Sequence, residues 1–163
     1  MGLTFEPLPG MDPMSLEHPR PAAAIALSPA GAGFGGFYDH GGDDSSWSTM
    51  RGPVLVVTGE NDVKPDKPEL TGAIRRQAFD RMPADGERHL LYSTLPVGVG
   101  GHGTYNLEDA DDADPRVVSL TRAIASSARA FLDASLLGDD DAAEWLASDR
   151  ARGLAGEASW ENR

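Results

Sequence analysis

No cysteine occurs among the 163 residues, which excludes a disulfide framework, a thiol nucleophile and cysteine-ligated zinc. Positive charge is also scarce: 14 Lys and Arg stand against 26 Asp and Glu, a net charge of −12. Nucleic acid and anionic membranes both demand a basic face, so neither is an expected partner. No apolar run approaches the roughly 18–20 residues of a membrane span. Residues 1–20 lack a basic segment leading into an apolar one. No signal peptide is read there, and the compartment stays open with the cytoplasm as default. What is present is ordinary for a globular chain, 40% hydrophobic and 25% charged, with a length that suits one domain and a moderate core. Gly 19 and Pro 12 imply much loop.

The clearest element is Gly-Pro-Val-Leu-Val-Val-Thr-Gly-Glu-Asn-Asp at 52–62. Val54 to Val57 run without a polar interruption, as strands buried on both faces do, and such strands belong mostly to parallel sheets. Pro53 sits at the strand start, where its missing N–H does least harm. Around it, residues 1–21 with their five prolines read as an irregular arm. Residues 22–28 are a short apolar run bounded by Pro21 and Pro29 and read as a strand despite their alanines. A Gly-rich loop over 29–51 carries Phe34, Phe37 and a helical turn with Trp47 and Met50. Leu70, Ile74, Ala78 and Met82 at spacing four predict a helix over 69–82, ended by Pro83. Arg88 to Thr94 is a third strand. Asp114 and Pro115 open a long helix with Val117, Leu120, Ile124, Ala128 and Phe131 on its buried face and Gly138 as its stop. Asp139–Asp141 start a short last helix bearing Trp145 and Leu146. Alternating strands and helices predict an α/β fold: a three-stranded parallel sheet with flanking helices over 22–147, and a loosely ordered tail over 148–163.

In open α/β sheets the chemistry sits past the carboxyl ends of strands. Asp62 falls there, and has two readings: an acid that orients a histidine, or a turn aspartate. His102, flanked as Gly-Gly-His-Gly, follows the next strand. A lone loop histidine carries no function; an acid after one strand and a histidine after its neighbour form a geometric pair. Ser28 ends the first strand, but Pro29 follows it and no glycines flank it, so it reads as a strand-end residue and not as a nucleophile elbow. His18 and His89 read as incidental. Asp39, His40, Asp43 and Asp44 are an acidic cluster without recognisable metal-ligand spacing. Gly31, Gly33 and Gly36 make a poor nucleotide fingerprint, because no helix follows. No cofactor and no metal is expected. Phe34, Phe37, Trp47 and Tyr105 suit a substrate pocket and ordinary packing equally well.

These motifs together resemble the carboxy-terminal portion of an α/β-hydrolase, of the dienelactone hydrolase and platelet-activating factor acetylhydrolase kind. Residues 54–62 resemble the strand and turn that deliver the triad acid, and 100–103 the loop that delivers its histidine. Ala23 to Pro29 resembles the strand after the nucleophile helix, and 130–139 with 142–146 the closing helices. The resemblance implies a carboxylic ester or related acyl bond as substrate, with Asp62 and His102 as catalytic residues. It also exposes a departure. No Gly-x-Ser-x-Gly occurs, and the backbone donors of the family's oxyanion hole have no counterpart. The expectation is a hydrolase fragment that is inactive alone. The alternative is a non-catalytic module that pairs, with another chain or with itself, through the open edge of the strand at 22–28.

Overall fold

The structure, a computed structural model, describes residues 4–5, 14–15, 21–31, 45–66, 68–97, 99, 101–105, 114–148 and 158–163. In chain order the elements are β1 (Thr4–Phe5), β2 (Met14–Ser15), β3 (Ala24–Leu27), α1 (Ser45–Ser48), β4 (Val54–Gly59), α2 (Gly72–Asp80), β5 (Arg88–Ser93), α3 (His102–Tyr105), α4 (Pro115–Leu132), α5 (Asp140–Ala147) and β6 (Ala158–Asn162). Within the arm, β1 and β2 pair antiparallel as a small separate ribbon.

The fold is α/β, and its sheet has the order β3-β4-β5-β6. β3, β4 and β5 are parallel, with Leu27 opposite Val57 and Val57 opposite Leu91. β6 then runs antiparallel to β5, placing Trp160 opposite Leu91. The three-stranded parallel sheet is therefore corrected to a four-stranded mixed one, and the expected loose tail supplies its last strand. Ala-Ser-Trp-Glu-Asn carries one large apolar residue and no β-branched one, so no alternation betrayed it. Its hold comes from tertiary contacts. Trp160 is 6% exposed, its indole N–H donates to the Leu146 carbonyl at 3.0 Å, and its ring stacks on His89. Glu161 accepts two bonds from Arg76 on α2, at 2.6 and 2.7 Å. Arg163 donates to the carbonyls of Phe79 and Met82 at the end of α2, with its guanidinium over the Phe79 ring.

β4 lies at the centre, and Val54, Leu55, Val56 and Val57 are fully buried. Each such side chain contributes about 1.5–3 kcal/mol on burial. Alternation along the strand splits them between two cores. Leu55 and Val57 face Leu91, Leu120, Ile124, Phe131, Leu146, Trp160 and Tyr105. Val54 and Val56 face Trp47, Met50, Ala78, Phe79, Met82 and Leu90. Helices thus cover both faces of the parallel strands, as the unbroken apolar run requires.

The helix boundaries follow local chemistry. Asp114 caps α4, its side chain accepting from the Arg116 N–H at 2.8 Å with Pro115 at the first position. The helix widens into a π-turn over Asp133–Leu137 before Gly138, at φ 68°, ends it in the left-handed region. His89, read as incidental, is 5% exposed and packs between Phe131 and Trp160.

Candidate functional site

Three strand ends meet at one rim of the sheet. Ser28 follows β3, Asp62 follows the turn after β4, and His102 opens α3 after β5. The turn is closed by the Asp62 N–H donating to the Gly59 carbonyl at 3.1 Å. Asn61 donates to the Leu95 carbonyl at 2.6 Å, tying that turn to the loop after β5. The structure brings the two sequence-derived site residues together: Asp62 Oδ1 and His102 Nδ1 are 2.9 Å apart. Asp62 is fully buried, whereas the His102 side chain is 22% exposed. Both polar contacts of the imidazole, to Ser28 and Asp62, run through Nδ1, and no described residue bonds to Nε2.

The acid is enclosed by donors. Thr58 Oγ1 donates to Oδ2 at 2.7 Å and Ser28 Oγ to Oδ1 at 2.8 Å. The Arg75 guanidinium, 5% exposed, lies 3.3 Å from Oδ1 through Nε. That same Nε donates to the Asp62 carbonyl at 2.8 Å, while Nη1 donates to the carbonyls of Ser28 and Pro29 at 3.0 and 3.2 Å. A buried carboxylate left without such partners would be costly. Here three donors, from Thr58, Ser28 and His102, and the Arg75 cation surround it, an environment that suits a carboxylate beside an imidazole.

Tyr105 ends the short helix that His102 opens. It lies one helical turn beyond His102, is fully buried, and belongs to the core. Its packing reading is therefore the one found, and it lines no open pocket. Its hydroxyl reaches the ends of β4 and β5, against Gly59 and Ser93; a Cβ at Gly59 would collide with that hydroxyl and the Ser93 carbonyl. Burial pushes the Tyr105 pKa up to about 12, against a smaller downward pull from Ser93. Trp47 likewise packs in the second core, with its indole N–H on the Ala30 carbonyl. Phe34, Phe37, His18 and the cluster of Asp39, His40, Asp43 and Asp44 lie outside the described residues.

Sequence reasoning missed Thr58, Arg75 and the contact made by Ser28. Arg75 lies next to the apolar series of α2, and nothing in its local pattern marks it as buried. Thr58 reads as the last strand residue. Ser28 gave one signal, a hydroxyl at the end of an apolar strand just before proline. Comparison of the chain with protein-family models, with curated proteins and with solved structures finds no match.

Proposed function

We propose that Asp62 and His102 are the acid and the histidine of a serine-type acyl hydrolase resembling the α/β-hydrolases, acting with a nucleophile that lies outside these 163 residues. One observation carries the reading: a carboxylate and an imidazole, from the carboxyl ends of adjacent parallel strands, meet at 2.9 Å through Nδ1. The substrate class is a carboxylic ester or related acyl bond. With Nδ1–H held by Asp62, Nε2 keeps its lone pair and serves as general base. It takes the proton of the serine hydroxyl as that oxygen attacks the acyl carbon, then gives it to the leaving alkoxide as the ester C–O bond breaks. Water repeats the sequence on the acyl-enzyme, releasing the acid. Asp62 stabilises the imidazolium formed in each half and fixes the ring's orientation.

Ser28 does not fit the nucleophile's place. A relay needs the hydroxyl on the ring nitrogen opposite the acid, and Ser28 contacts the acid's own nitrogen, at 2.8 Å, while only 8% exposed. The chain alone is therefore expected to leave a p-nitrophenyl ester untouched. The reading frame extended upstream of Met1 is expected to encode a Gly-x-Ser-x-Gly turn and to yield an esterase. In that longer protein His102→Ala or Asp62→Asn should lower kcat by about 10³–10⁴-fold. An extended esterase indifferent to His102→Ala would contradict the proposal, as would turnover by the short chain that depends on His102.

A second reading, a non-catalytic module that pairs through its sheet edge, draws on β3. All four of its residues are half-buried, whereas β4 is buried throughout, and β3 ends the strand order. An open edge presents a ladder of backbone donors and acceptors to another strand. A strictly monomeric chain in size-exclusion chromatography counts against this reading.

A further inference from the structure

The contact between acid and histidine is one side of a triangle. Ser28 Oγ lies 2.8 Å from Asp62 Oδ1 and 2.8 Å from His102 Nδ1, and those two atoms are 2.9 Å apart. Elementary donor and acceptor counting assigns the protons. A carboxylate oxygen only accepts, so the serine hydroxyl donates to Oδ1. Nδ1 faces the same oxygen, and its lone pair there would meet another lone pair; Nδ1 therefore carries its hydrogen, shared between Oδ1 and Oγ. Oδ1 thus serves two close donors at once, and Thr58 occupies Oδ2.

Ser28 is held in this place against its own preference. Its φ of 46° lies in the left-handed region, and it is the one non-glycine residue with positive φ among the described residues. Such a conformation is strained for any residue that carries a side chain. Arg75 is what holds it: one guanidinium binds the carbonyls of Ser28 and Pro29 and, through Nε, the carbonyl of Asp62. Strand pairing reaches the residue too, since the Ser28 N–H donates to the Val57 carbonyl at 2.8 Å. A serine that merely ended a strand would need neither the strain nor the clamp.

We infer that Ser28 is a positioning residue of the Asp62–His102 pair: its hydroxyl occupies the carboxylate oxygen that faces Nδ1, and so limits how strongly the acid draws the imidazole proton. This deepens the reading of the pair as acid and histidine and rests on it. The role differs from that of a nucleophile, because Ser28 acts through the acid and leaves Nε2 open.

The test reads the ring nitrogens of His102 by long-range proton–nitrogen NMR on the full chain above neutral pH. Ser28→Ala removes the hydroxyl and keeps a side chain at the strained φ; Ser28→Gly removes the hydroxyl and relieves the strain, so it folds even where the alanine variant does not. In both, the Nδ1 resonance should move downfield relative to wild type, because Oδ1 then accepts more fully from Nδ1–H. Asp62→Asn should release the ring to its Nε2–H tautomer and carry Nδ1 much further downfield, into the range of an unprotonated ring nitrogen. An unmoved Nδ1 in both serine variants, with Asp62→Asn still shifting it, overturns the role of Ser28 and leaves the pair intact. A shift in alanine absent from glycine assigns the effect to backbone strain and also overturns it. An Nδ1 resonance indifferent to Asp62→Asn removes the pair itself. Stoichiometric labelling of Ser28 by a fluorophosphonate would make it a nucleophile and overturn the assignment.

Discussion

Arg75 decides whether the rim holds together. Its guanidinium binds three carbonyls and sits against the Asp62 carboxylate, all out of water. Arg75→Met fills similar volume but leaves that carboxylate without its cation, so it should destabilise the chain by about 3 kcal/mol or more in urea unfolding. A loss below about 1 kcal/mol would mean the clamp is not structural. The same residue shows where reading a sequence stops. Asp62 and His102 were legible because their places, each past the end of a strand, follow from chain order alone. Arg75 and Thr58 were not, because a buried arginine on an amphipathic helix has the same local pattern as an exposed one. Ser28 was visible as a residue but not as a partner: nothing in Leu-Ser-Pro specifies a positive φ. Only the packing of α2 against the ends of β3 and β4 brings its hydroxyl to the acid.

Among the elements, β6 closes the sheet and carries the strongest energetic prediction. Trp160 fills the space between His89 and α5, and its indole N–H is bonded to Leu146. Trp160→Ala should cost about 3–5 kcal/mol, a lowering of Tm by about 10 °C or more. Against a total stability of about 5–15 kcal/mol that is a large share. An unchanged Tm would return residues 158–162 to the loose tail that their sequence resembles. β3, β4 and β5 could be read because a short apolar run between prolines or glycines admits few other structures. The π-turn at 133–137 could not, since Leu132, Leu136 and Leu137 continue the apolar spacing of α4 yet stay exposed, at 38, 52 and 77%. α3 was hidden in a glycine-rich loop. Its formation depends on Tyr105 finding the room left by Gly59, which no local pattern reveals.

For the whole molecule, chain order and geometry converge. Ser28, Asp62 and His102 follow three successive parallel strands and meet at one rim, the place where a parallel sheet puts its chemistry. Among the described residues no helix is long and apolar enough to cross a membrane. The fold class was legible from the alternation of strands and helices; the antiparallel closure of the sheet was not, because it depends on a segment held by one tryptophan and two arginines. The proposed hydrolase function depends on His102 presenting Nε2 as a base, and that in turn requires its proton on Nδ1. The location of that proton is measurable on the unaltered chain, by the nitrogen shifts of the His102 ring above neutral pH. An Nδ1–H, Nε2-acceptor imidazole is expected; an Nε2–H tautomer, the form an unconstrained histidine prefers, would contradict the proposed function.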